Sequence, residues 1–141
     1  MKKILLLFVI PFAIFNLSAQ NKSVTLYNNG ITHDNIKAEI FNNDTTYIYS
    51  VTTAAMWTGA LSTKIVYKGN YNNFMAFMIP LLRFAEENQN NKGAKEVING
   101  VNIESTKKIG VKCISIGGGK DINNTTYNSI KEAVEAIHSW K

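Results

Sequence analysis

The sequence holds one cysteine, two histidines, two prolines and a single arginine, and each scarcity removes a class of function. With only Cys113, no internal disulfide can form. That cysteine lies in the apolar run Val111-Lys112-Cys113-Ile114-Ser115-Ile116, which reads as a strand, where a thiol behaves as a small buried hydrophobe. His33 and His138 stand far apart with no His/Glu motif near either, so no metal-ligand set and no cofactor are expected. No nucleophile-elbow motif is present, and Cys113 lacks the flanking residues of a catalytic thiol. Arg83 is the only arginine. Lys92, Lys95, Lys107, Lys108 and Lys112 fall in one region, but Glu96 and Glu104 interrupt them and no aromatic side chain stands among them. A surface that tracks phosphates shows a denser stripe, so this region reads as a solvated face and nucleic acid is not an expected partner.

A membrane-spanning run is also missing. Ile4 to Phe15 is an apolar stretch well short of the about 20 residues a spanning helix needs. Lys2 and Lys3 precede it, and Asn16-Leu17-Ser18-Ala19 follows it with a polar break and a small residue before Gln20. This order is that of a secretory signal peptide, so residues 1–19 are read as a cleaved leader and 20–141 as the exported domain, placed in the periplasm or outside the cell.

What remains is an ordinary globular composition. The 141 residues are 45% hydrophobic and 18% charged, with a net charge of +5. Two of those charges belong to Lys2 and Lys3, so the chain after the leader carries +3. That is one domain's worth of chain, able to bury a single modest core. Asn is frequent and often paired (Asn28-Asn29, Asn42-Asn43, Asn72-Asn73, Asn90-Asn91, Asn123-Asn124), which suits turns better than any Asn-specific chemistry.

Along the chain, Ser23–Tyr27 reads as a strand ending at Asn28-Asn29-Gly30, and Ile36–Phe41 and Thr45–Val51 as a hairpin around Asn42-Asn43-Asp44. Thr52–Leu61 is ambiguous, and Lys64–Lys68 is a clearer strand. Phe74, Phe77, Met78, Leu81, Leu82 and Ala85 recur at helical spacing, with Asn72 or Asn73 as cap, and Pro80 should kink this helix or mark its true start. In Glu96–Ile116, Asn99-Gly100 is a hairpin signal; the preferred reading is instead one long strand from Lys95 to Glu104 turning at Ser105-Thr106-Lys107. A last helix runs from Tyr127 to Trp140, capped by Thr125 or Thr126. The expectation is an α+β fold: a single small domain, an antiparallel β-sheet with two amphipathic helices packed on it.

Two motifs start well and fail. Gly117-Gly118-Gly119-Lys120 lacks the first glycine and the final Ser or Thr of a phosphate loop. Asp121 could open a calcium loop with Ser129 and Glu132, but Thr126 replaces the glycine that its sharp turn needs. The remaining candidates are aromatic: Tyr47, Tyr49, Trp57 and Tyr67 could line a face that stacks on sugar rings or grips a partner. The expectation is therefore a non-enzymatic exported binding module whose partner is a protein or glycan of the cell envelope. Two alternatives are a small secreted hydrolase assembled around His33, Asp34 and Asp121, and an envelope protein that self-assembles through a sheet edge.

Overall fold

The computed structural model describes residues 21–54, 61–108, 110–117 and 123–140. Residues 1–19 (expected to be a leader), Trp57 and the Gly118–Asp121 stretch lie outside the described residues. Four strands, β1 (Lys22–Asn28), β2 (Asp34–Phe41), β3 (Asp44–Ala54) and β4 (Leu61–Gly69), precede helix α1 (Tyr71–Glu87). Four more, β5 (Lys95–Ile98), β6 (Val101–Lys108), β7 (Val111–Ile116) and β8 (Asn123–Thr125), precede α2 (Tyr127–Trp140). The fold is α+β, as expected, but the strands form two four-stranded antiparallel sheets, β1-β2-β3-β4 and β5-β6-β7-β8. Four consecutive strands and a helix therefore occur twice in a chain whose sequence shows no repeat.

Turn chemistry explains both meanders. Phe41 pairs with Asp44, leaving Asn42 (φ 49°) and Asn43 (φ 68°) as a two-residue loop in the left-handed region, as a type I′ turn requires. Ile98 pairs with Val101 in the same way around Asn99 (φ 48°) and Gly100 (φ 81°). This corrects the preferred reading of one long strand through Lys95–Glu104. The hairpin closes at Asn99-Gly100, and β6 continues through Ser105-Thr106-Lys107 to pair Lys108 with Val111. The short β8 is a strand that local sequence does not announce, because Asn123-Asn124-Thr125 has the composition of a loop and becomes a strand only by pairing with Ile114–Ile116.

Helix α1 begins one turn earlier than its apolar stripe. Asn70 is the N-cap, and its Oδ1 accepts from the Asn73 amide at 3.0 Å, a cap worth about 1 kcal/mol. The helix runs unbroken through Pro80, whose ring leaves the Ala76 carbonyl without its usual donor. At its far end Asn88 closes the helix by donating from Nδ2 to the Phe84 carbonyl at 2.9 Å.

One core joins both sheets and both helices. Ile36, Ala38, Tyr47, Tyr49 and Val51 come from the first sheet, and Ile98, Ile103, Ile114 and Ile116 from the second. Helix α1 adds Phe74, Phe77, Met78, Leu81 and Phe84, and α2 adds Ile130, Ala133, Val134 and Ile137. Helix α1 packs on β3, β4, β5 and α2, while α2 packs on α1 and on β1, the first strand of the chain. A bulge between Thr25 and Tyr27 brings Tyr27 opposite Ile36 and hence onto the core face, where strict alternation from Val24 would have turned it away. Among the described residues no helix is long and apolar enough to cross a membrane.

Candidate functional site

The structure brings Tyr47, Tyr49 and Tyr67 together on β3 and β4, but in and against the core rather than on an open face. Tyr47 and Tyr49 are each 3% exposed and belong to the core. The Tyr47 ring meets Tyr71 and Trp140 edge-on at 5.8 Å and Phe74 at 5.7 Å, which leaves it no face for a ligand. Tyr67 stacks on Phe77 with centroids 4.4 Å apart and accepts from Asn99 Nδ2 at 3.3 Å, tying β4 to the β5–β6 turn. Trp57 lies outside the described residues.

His33 and Asp34 part company. His33 is exposed in the β1–β2 turn with φ 57°, whereas Asp34 is 2% exposed. Both carboxylate oxygens of Asp34 are occupied by hydroxyl donors. Tyr49 Oη gives to Oδ1 at 2.7 Å; Thr32 Oγ1 and Thr125 Oγ1 give to Oδ2 at 2.5 and 2.6 Å. Burial raises the Asp34 carboxyl above its ordinary range, and the hydrogen bonds from Thr125, Thr32 and Tyr49 oppose that rise. Burial, reinforced by the neighbouring carboxylate, pushes the Tyr49 phenol well above its usual value. Thr125 stands on β8 and Asp34 on β2, so this cage clasps the two sheets together. It is closed to any substrate.

Beside it, Asn29 docks the β1–β2 turn onto α2. Its Oδ1 accepts from the amides of Ile31 (2.9 Å) and Thr32 (3.1 Å), and its Nδ2 donates to Ser129 Oγ (3.0 Å) and Tyr27 Oη (3.1 Å). Tyr27 in turn donates to Glu132 at 3.3 Å. Ser129 and Glu132, two oxygens of the failed calcium pattern, are engaged here.

An open cleft lies elsewhere, where the inner face of the second sheet runs beyond the core. Along that face the paired positions change from Ile103/Ile116 to Ser105/Ile114 and then to Lys107/Lys112. The end of α1 (Ala85, Asn88) and its exit (Gln89, Asn90, Lys92) form one wall, and Thr126, Tyr127 and Asn128 at the start of α2 form another. The cavity measures about 470 Å³, within the range of small-molecule sites. Thr126 caps α2, with Oγ1 accepting from the Ser129 amide at 3.2 Å. Tyr127 and Asn128 line the cleft, and their backbone amides have no acceptor among the described residues.

Charge in this region is sorted by strand geometry. Glu104 alternates onto the outer face of β6 and lies 3.8 Å from Lys95, while Glu96 lies 3.9 Å from Arg83. The two glutamates that interrupt the lysines in sequence are thus directed elsewhere. Lys92, Lys107 and Lys112 line the cleft with no carboxylate partner among the described residues, and Lys112 Nζ rests on Asn90 Oδ1. The half-buried Cys113 also lines the cleft. Neither imidazole nor carboxylate occurs among its described lining residues. In sequence the only signal for this site was the cluster of lysines. Comparison with known protein families, with curated proteins and with solved structures finds no match.

Proposed function

We propose that this chain is an exported, non-enzymatic binding module and that it takes a small polar ligand in the cleft between the end of α1, the start of α2 and the β6–β7 hairpin. The observation that carries the reading is the cleft itself: a concave space lined by amides, lysines and a tyrosine, on a molecule in which the candidates Tyr47, Tyr49 and Asp34 are buried. Gln89 and Asn128 can each offer an amide donor and acceptor to hydroxyl groups, and the Tyr127 ring supplies an apolar face of the kind sugar rings stack on. A lining of amides, lysines and a tyrosine suits recognition. Acid–base turnover most often uses an imidazole or a carboxylate, and the described lining holds neither. Export rests on the leader at residues 1–19, and a mature protein beginning near Gln20 by mass spectrometry checks that half of the reading.

The cleft half is checked by blocking it. Asn128 is exposed on the first turn of α2, so Asn128→Trp should fill the cleft while changing stability by no more than about 0.5 kcal/mol. Screening the protein and this variant against a soluble glycan panel should show binding by the first only. Equal binding by both would place the ligand elsewhere, and turnover of any bound glycan would overturn the non-enzymatic reading.

A further inference from the structure

We infer that the ligand of this cleft is an anionic sugar, a ring of hydroxyls carrying a carboxylate or phosphate; the inference rests on the cleft reading above and names its chemistry. Three features converge. Lys92, Lys107 and Lys112 bring three positive charges to one cavity, and the neighbouring glutamates are held away by Arg83 and Lys95. The start of α2 opens onto the same cavity with the Tyr127 and Asn128 amides free among the described residues, and its first turn carries no acidic side chain to answer the helix dipole. Negative charge is thus missing from a place where both lysines and helix favour it. The third feature is the uncharged part of the lining, in which Gln89, Asn128 and Tyr127 suit hydroxyls and a ring face more than a bare ion.

The geometry divides the ligand in two. The charged group sits between Lys107, Lys112 and the α2 amides, where charge-assisted hydrogen bonds are strongest. The polyol ring extends toward Gln89 and Lys92 at the exit of α1. Because these lysines are exposed, affinity should fall as salt rises.

Titration calorimetry with glucose 6-phosphate, glucuronate, glucose and inorganic phosphate tests this, with amide NMR shifts at Tyr127, Asn128 and Lys112 locating the binding. Either charged sugar should bind at least tenfold tighter than glucose and should shift those amides; which of the two binds tells phosphate from carboxylate. Lys107→Gln and Lys112→Gln should each weaken charged-sugar binding about fivefold and leave thermal stability unchanged. Glucose binding as tightly as the charged sugars, or lysine variants that bind them unchanged, would overturn the inference and leave the cleft reading standing. Inorganic phosphate matching glucose 6-phosphate would overturn the sugar half. Amides that no probe shifts would remove the cleft reading and the inference together.

Discussion

Asp34 shows how a residue that looks catalytic in sequence can be structural. An aspartate beside a histidine suggests acid–base work, yet its carboxylate is surrounded by Tyr49, Thr32 and Thr125 and lies 2% exposed. Removing the carboxyl leaves the buried hydroxyls of Tyr49 and Thr125 and the half-buried one of Thr32 without their acceptor, so Asp34→Ala should cost about 3 kcal/mol in urea unfolding. Asp34→Asn should cost much less, since the amide oxygen still accepts from Tyr49 and its nitrogen can donate to a threonine hydroxyl. The two proteins should also differ in pH dependence. Burial raises the Asp34 carboxyl in the folded state, so its contribution to stability is fully present below the unfolded carboxyl range and is lost as pH rises through the folded-state value. The wild type should therefore lose stability relative to Asp34→Asn as pH rises through and above the ordinary carboxyl range; a constant difference would mean that burial does not shift this carboxyl. The asparagines follow the same lesson. Asn29, Asn42, Asn43, Asn70, Asn88 and Asn99 build turns and caps, which their short amides and tolerance of positive φ suit them to do.

At the scale of elements, turns rather than strand propensity decide where each sheet folds back. Gly100 holds φ 81° with open space where a side-chain methyl would stand, so Gly100→Ala meets no neighbour and suffers only the left-handed backbone penalty, about 1–2 kcal/mol. Gly30 is a useful contrast. It too has nothing within 4 Å of an added Cβ, but it needs no positive φ. Gly30→Ala should be neutral or stabilising by up to about 1 kcal/mol through the unfolded chain. Thermal denaturation of the pair distinguishes the two, and equal effects would mean that the Asn99-Gly100 turn is not type I′. The helices were legible because α1 and α2 repeat apolar residues at helical spacing, and α2 spans the expected Tyr127–Trp140. The turn at Asn99-Gly100 was also legible but was outweighed by the attraction of a longer strand. Strand β8 was not, since three polar residues form a strand only when a neighbouring edge supplies their hydrogen bonds.

In the whole molecule, the two meanders are not independent units. Their inner faces share one core with both helices, and the Asp34–Thr125 and Tyr67–Asn99 contacts tie one sheet to the other. Helix α2 returns to β1, so the ends of the described chain close on each other. Urea unfolding should therefore be one cooperative transition. Tryptophan fluorescence of a Trp57→Phe variant, which reports Trp140 alone with its ring against Tyr47 of the first sheet, and far-UV circular dichroism should give the same midpoint; two separated midpoints would show that the sheets unfold singly.

The sequence by itself determined the local elements: two striped helices, strands rich in β-branched and aromatic residues, and turns placed by Asn and Gly, all set by side chains within a few positions of one another. Only the tertiary structure decided which titratable and aromatic groups are buried and which lysines share a cavity. Lys92, Lys107 and Lys112 read as part of a mixed-charge stretch until strand alternation sends Glu104 to the opposite face and the β5–β6 hairpin pairs it with Lys95. Thr125 reads as a helix cap until the second sheet carries it to Asp34, 91 residues away. Such pairings depend on contacts between distant segments, and a local pattern of residues does not encode where those segments meet.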